Sequence, residues 1–232
     1  MITLRRSGER RHIPGRGQDT WMTFNPESLQ DPLRLGFRTL EALNEQMLAP
    51  GIGFLIRPDR NTEMFTYVQQ GTLVQEDASG RTRVLERGEC RCSTVGSGTT
   101  HRTVNGSLTE YAHAFQCCIT PDREDLYRRP QQKRFPVAER RGILRLTASP
   151  QGIDGSLRMH QDIRVYSSLL DPGHHLIHEL ACRRAAWLHV VSGRIQLIEH
   201  RLGSGDGACL VEEPAASWTA LEPSEILLFD FA

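Results

Sequence analysis

The sequence lacks an excess of charge of either sign: 28 Lys and Arg stand against 28 Asp and Glu, for a formal net charge of +0. Nucleic acid and anionic membrane surfaces select for surplus Lys and Arg, so neither is expected as a partner. No apolar run approaches the roughly 20 residues that span a bilayer. The opening Met1-Ile-Thr-Leu-Arg-Arg has no apolar stretch behind its charges, so no secretory signal is expected, and the reading is a soluble, cytoplasmic monomer. Also missing is any Cys-x-x-Cys pair among Cys90, Cys92, Cys117, Cys118, Cys182 and Cys209. That absence argues for free, mostly buried thiols in a reducing compartment rather than a disulfide framework. Cys90 and Cys92 would share one face of a strand as small core residues, while the adjacent Cys117 and Cys118 would face opposite ways.

Helical periodicity is scarce too. The one convincing stretch in the first half runs from about Arg38 to Met47. What is present is a series of short strand-like runs punctuated by Gly, Pro, Asn and Asp. Met64-Phe-Thr-Tyr-Val68, Thr72-Leu-Val-Gln-Glu76, Thr82-Arg-Val-Leu85 and Tyr111 to Cys117 lie in the first half. Ile163 to Leu170, Trp187 to Val191, Arg194 to Ile198 and Glu225 to Phe231 lie in the second. Short strands at regular intervals mark an all-β sandwich or barrel. The halves also resemble each other: Phe65 to Gly71 and Leu188 to Gly193 each read as an apolar strand closing on a glycine turn. The pattern predicts a duplicated barrel, with residues 1–121 as the first domain, 122–141 as a polar, Arg- and Gln-rich linker carrying some helix, and 142–232 as the second.

Two spacings carry more. Gly51-x5-Arg57-x-Asp59-x3-Glu63-x7-Gly71 has the form of the first cupin motif, in which the Arg and Asp positions are usually His. Gly88, the Gly-rich turn at Val95 to Gly98, and His101-x3-Asn105 match the second motif. Around them, Trp21-Met-Thr-Phe24, Asp31-Pro32, Gly36-Phe37, Leu48-Ala-Pro-Gly51, Gln132-Lys-Arg-Phe135 and Ser149-Pro150 resemble pieces of the pirin family, and the resemblance covers nearly the whole chain. It implies two tandem cupin barrels, jelly rolls with short helices, and one iron held in the N-terminal barrel by three His and one Glu. It also implies an association with quercetin 2,3-dioxygenase activity and, for pirin itself, with transcriptional coregulation.

Carried over position by position, the resemblance puts Arg57 and Asp59 where two His ligands belong, keeps His101, and puts Thr103 where the Glu ligand belongs. Arg cannot ligate a metal, and its fixed charge repels one. The expectation is therefore an N-terminal pocket of Arg57, Asp59, Glu63, His101 and Thr103, with an ionic cluster in place of iron and no cofactor. The alternative keeps Fe or Mn on Asp59, Glu63 and His101, an oxygen-rich facial triad in a quercetinase-type dioxygenase. A third use of the pocket makes Arg57 a receptor for a small aromatic or anionic ligand, walled by Phe54, Phe65, Tyr67 and Phe115. These give two functional classes: a non-catalytic or divergent pirin-like binder of a small molecule or protein, and a metal-dependent oxygenase. In the second half, His174, His175 and His178 lack the cupin spacing, and no His follows Gly205-Asp-Gly207. They read as surface or satisfied core histidines, as does His189.

Overall fold

The computed structural model describes residues 1–56, 61–77, 80–95, 101–123, 126 and 130–232. Its strands form two seven-stranded and two four-stranded sheets, almost entirely antiparallel. One sheet of each size builds the unit Arg10–Arg134, and the other two build the unit made of Met1–Glu9 and Phe135–Ala232. Each unit is a cupin barrel, the all-β architecture read from the sequence.

The N-terminal barrel closes around Leu48, Val68, Ala112 and Ala114 from its large sheet and Leu73 and Leu85 from its small one. The strand Thr62–Gln70 is paired on both edges, with Ala112–Ile119 and Glu89–Val95, and is buried on both faces from Thr62 to Val68. At its end Gly71 has φ 75°, and a Cβ there would lie 2.6 Å from the Tyr111 carbonyl oxygen. Gly193 ends the corresponding strand Ala185–Ser192 with φ 85°, and a Cβ there would collide with the Pro223 carbonyl. Only glycine fits either turn, which is why the repeat is visible in the sequence at these two positions. The C-terminal barrel is filled by aliphatic side chains, among them Leu188, Val190, Leu210, Ile226 and Leu228, together with Trp218.

Leu40–Leu48 is a strand, not the helix that its Leu40/Leu43 spacing suggests. It pairs with Ala112–Ile119, and the register slips between Cys118 and Ile119, which face Ala42 and Leu40. Glu41 is the extra residue of a bulge, so Leu40 and Leu43 fall on one face three positions apart and imitate a helical repeat. The first strand, Ile2–Arg5, pairs with Gly207–Val211 and joins the C-terminal unit, whereas the sequence reading kept residues 1–121 together. Within 122–141, Gln131–Arg134 extends the large N-terminal sheet beside Glu89–Val95, and Val137–Arg140 is a single helical turn. All six cysteines are free thiols.

Candidate functional site

The second cupin motif lies on the strand His101–Asn105, which is bonded to Gly53–Ile56 on one edge and Thr72–Glu76 on the other. Thr103 stands opposite Phe54, which packs on the barrel's apolar cluster, so His101, Thr103 and Asn105 share the inward face. Their burial confirms it: all three are buried, while Arg102 between them is exposed. Asn105 has a structural role. Its amide nitrogen donates to the carbonyls of Leu48 and Glu110 at 3.0 and 2.7 Å, and its side-chain oxygen accepts from the Ser107 amide at 2.9 Å.

Arg57 and Asp59 lie outside the described residues. Glu63 does not join His101. Its strand runs without a bulge from Thr62 to Val68, so Met64, Thr66 and Val68 face the barrel interior, whereas Glu63, Phe65 and Tyr67 face the other way. There Glu63 keeps company with the thiols of Cys90, Cys92 and Cys117. Burial pushes the Cys92 thiol well up, and the neighbouring Cys90, Glu63 and Cys117 push it further. The expected pocket of Arg57, Asp59, Glu63, His101 and Thr103 thus loses Glu63. Of the proposed aromatic walls, Phe54 faces the interior, while Phe65, Tyr67 and Phe115, the partner of Tyr67, belong to the opposite face. The reason in each case is the parity of one strand, which the motif spacing does not reveal.

The two barrels are related by matching hydrogen bonds. Asn105 donates its backbone N–H to Ile52 at 2.8 Å, and Ala220 donates to His174 at 2.9 Å. Gly88 donates to Val68 at 2.8 Å, as Gly205 does to Val190 at 2.8 Å. Thr103 therefore corresponds to Trp218 and Thr66 to Leu188. Opposite Thr66 stands Gln116, and opposite Leu188 stands Leu228. One strand further, Gln46 corresponds to Ser168, through the pairs Ala114–Gln46 and Ile226–Ser168. Where the C-terminal barrel places Trp218, Leu188, Leu228 and Ser168, the N-terminal barrel places Thr103, Thr66, Gln116 and Gln46, with His101 beside them.

Those polar groups are deeply buried: Thr103 is 0% exposed, Gln116 5% and Gln46 6%. Among the described residues, Thr103 Oγ1, Gln116 Nε2 and Gln46 Oε1 have no hydrogen-bond partner. Sequence reasoning missed both glutamines, because nothing in a lone Gln on a strand reports which way it faces. As a metal site the chamber fits poorly. Among the described residues it offers one imidazole, His101, and no carboxylate on the same face, and no group of three or more His, Cys, Asp or Glu side chains among them is placed to hold a metal ion.

The C-terminal histidines diverge. His175 is exposed and bonds Thr219 at 2.9 Å. The His174 ring lies over Gly142, where a Cβ would meet it at 2.8 Å. His178 turns inward, its Nε2 3.0 Å from Asp230 Oδ2, with its ring 4.9 Å from that of Tyr166. Arg184 Nε donates to the other Asp230 oxygen at 2.6 Å. Burial works to raise the Asp230 carboxyl, but hydrogen bonds and charges from His178 and Arg184 outweigh it and hold it below its ordinary range. This cluster caps the end of an apolar core.

Comparison with known proteins gives a consistent result. The family described as Pirin matches residues 8–119, and the family described as Quercetinase C-terminal cupin domain matches 146–231. The chain is 34% identical over 230 residues to quercetin 2,3-dioxygenase of Escherichia coli strain K12, covering 99% of this chain and 98% of that protein. It is 29% identical over 210 residues to a pirin-like protein of Caulobacter vibrioides, covering 90% of each. The crystal structure of the Escherichia coli bacterial pirin YhhW in complex with nickel(II) matches with a TM-score of 0.91 and 34% identity, over 100% of this chain and 99% of that one. No helix among the described residues is long and apolar enough to cross a membrane.

Proposed function

This chain belongs to the pirin family, and we propose that it is a divergent member whose N-terminal barrel binds a small aromatic or anionic molecule at a degenerate, non-catalytic metal site. The observation that carries this reading is Thr103. It occupies the inward position beside His101 where the family supplies a carboxylate, and a neutral hydroxyl on an aliphatic carbon is a poor ligand for a transition ion. Arg57 in place of a first-motif imidazole adds a fixed positive charge to the same motif. One imidazole beside a neutral hydroxyl does not fit an iron centre.

A second reading, a metal-dependent oxygenase of the quercetin 2,3-dioxygenase type, is favoured by the names of the relatives and by the nickel(II) bound to the Escherichia coli pirin. It would rest on Asp59 and His101, with iron or manganese. Elemental analysis of protein purified without nickel resin separates the two. Far less than one equivalent of Fe, Mn, Ni, Cu or Zn, with no flavonol oxidation when Fe(II) or Mn(II) is added, is the expected result. One equivalent of metal that disappears in His101→Ala would establish the oxygenase reading instead.

A further inference from the structure

Independently of what the N-terminal barrel binds, we infer that the outer face of its small sheet is a self-association surface, on which two copies of this chain pair about a two-fold axis. The sheet runs in the order Gly53–Ile56, His101–Asn105, Thr72–Glu76, Thr82–Glu86. His101, Thr103 and Asn105 point inward, so Arg102 and Val104 point out. The strand register then lays one outward row across all four strands: Gly53, Val104, Val74 and Val84. The row beside it reads Leu55, Arg102, Glu76 and Thr82. Val84 is 51% exposed and Leu55 61%. Three valines far apart in sequence thus become one apolar stripe facing water. Scattered apolar side chains on a surface are ordinary, whereas a contiguous stripe with a polar border marks a contact surface.

The second barrel shows that the fold does not require the stripe. Because Thr103 corresponds to Trp218, Val104 corresponds to Thr219, and the matching row is His175, Thr219, Gln196 and Arg201. Four polar side chains stand there in place of three valines and a glycine, and His175 Nδ1 lies 2.9 Å from Thr219 Oγ1. The occupant follows from the fact that the stripe complements itself. Gly53 has no side chain, and a Cβ there would lie 2.7 Å from a Val104 methyl, so the row dips at that end and rises at Val84. Consider an axis in the plane of the contact, parallel to the strands and midway between His101–Asn105 and Thr72–Glu76. It sets Val84 of one copy over Gly53 of the other, and Val74 over Val104. The same rotation sets Glu76 over Arg102 twice. Since these two are also cross-strand neighbours within each copy, the four charges alternate in sign. A two-fold contact needs this match of a patch to itself. Stacked sheets lie about 10 Å apart with nearly aligned strands, which suits the arrangement. Four strands about 4.8 Å apart, over five residues rising about 3.4 Å each, give a footprint of roughly 300 Å² per copy. That is smaller than the roughly 800 Å² each partner buries in a standard complex, so the dimer is a weak one.

Sedimentation velocity on the full chain, from low micromolar to near millimolar concentration, tests the inference. The weight-average mass should rise from one chain toward two. Val84→Lys, at a side chain half exposed in the single copy, should hold it at one chain, with a thermal melt to verify that the variant is folded. Glu76→Arg and Arg102→Glu should each weaken association about tenfold or more, because each sets like charges over one another across the axis. Mixed in equal amounts, those two variants should associate again, since both contacts in the mixed dimer join opposite charges. A mass that stays at one chain for the unsubstituted protein, the monomer expected from the sequence, overturns the inference. Association that survives Val84→Lys, or a mixture no more associated than its two components, overturns it as well, because the copies would then meet through another face.

Discussion

Thr103 and Trp218 occupy the same place in the two barrels, at the same position of equivalent strands, so that a small buried hydroxyl in one stands where a buried indole stands in the other. The chemistry of the chamber can be pushed back toward that of its relatives. Thr103→Glu alone would bury a carboxylate without a metal to neutralise it and should lower the melting temperature. Combined with Arg57→His and Asp59→His it restores three imidazoles and a carboxylate. That triple variant should take up about one equivalent of Fe(II), Mn(II) or Ni(II) and recover stability on loading, as thermal melts with and without metal would show.

In the C-terminal unit, Arg140 donates to Glu225 at 2.9 Å and to the Ser167 hydroxyl at 3.0 Å, with both charged side chains buried. Removing one partner of such a pair leaves the other charge uncompensated. Glu225→Ala should cost about 3–5 kcal/mol in denaturant unfolding, whereas a double replacement of Arg140 and Glu225 by apolar residues should cost much less.

Glu45 supplies a pH dependence. Burial works to raise its carboxyl, but hydrogen bonds from His113 and Arg10, with their charges, prevail and hold it at about 2 rather than 4.5. A depressed carboxyl contributes its full stabilisation above pH 4.5 and loses it as the pH falls toward 2. The contribution is about 3 kcal/mol at most. His113→Gln should move the acid-unfolding midpoint to higher pH within that window and leave stability near neutrality less affected than Glu45→Ala does.

The thiols should separate by reactivity. Burial pushes Cys92 and Cys117 well above the ordinary thiol range, with neighbouring ionisable groups adding to it, while Cys182 is exposed. A chromogenic disulfide reagent at neutral pH should label Cys182 first and reach Cys92 and Cys117 only on unfolding. Fast labelling of the buried pair in the native protein would show that this sheet opens readily.

How much of this could be read from the sequence depends on what each signal encodes. The duplication was legible because Gly71 and Gly193 sit at turns that reject any Cβ, and a forced glycine leaves a mark in one sequence. The inward positions of His101 and Thr103 were legible because the second motif lies on one regular strand. Glu63 is misplaced by the motif because spacing alone does not report which face of the strand Thr62–Gln70 carries it. Leu40–Leu48 was misread because the bulge at Glu41 converts alternation into a helix-like step. Gln46 and Gln116 became visible only when strand pairing set them beside Ala114 and Thr66.

The pairing of Ile2 with Leu210 has a consequence for how the molecule is made. Both sheets of the Arg10–Arg134 barrel pair only segments already synthesised once Arg134 emerges, so that barrel can form early. The segment that precedes it must wait, untethered, until the chain near Val211 appears, closing a loop of about 200 residues in one step. Until then Gly207–Val211 has only one edge covered, and a newborn chain at that moment carries a sticky β-edge whose natural occupant, Ile2–Arg5, lies some 200 residues back along the same chain.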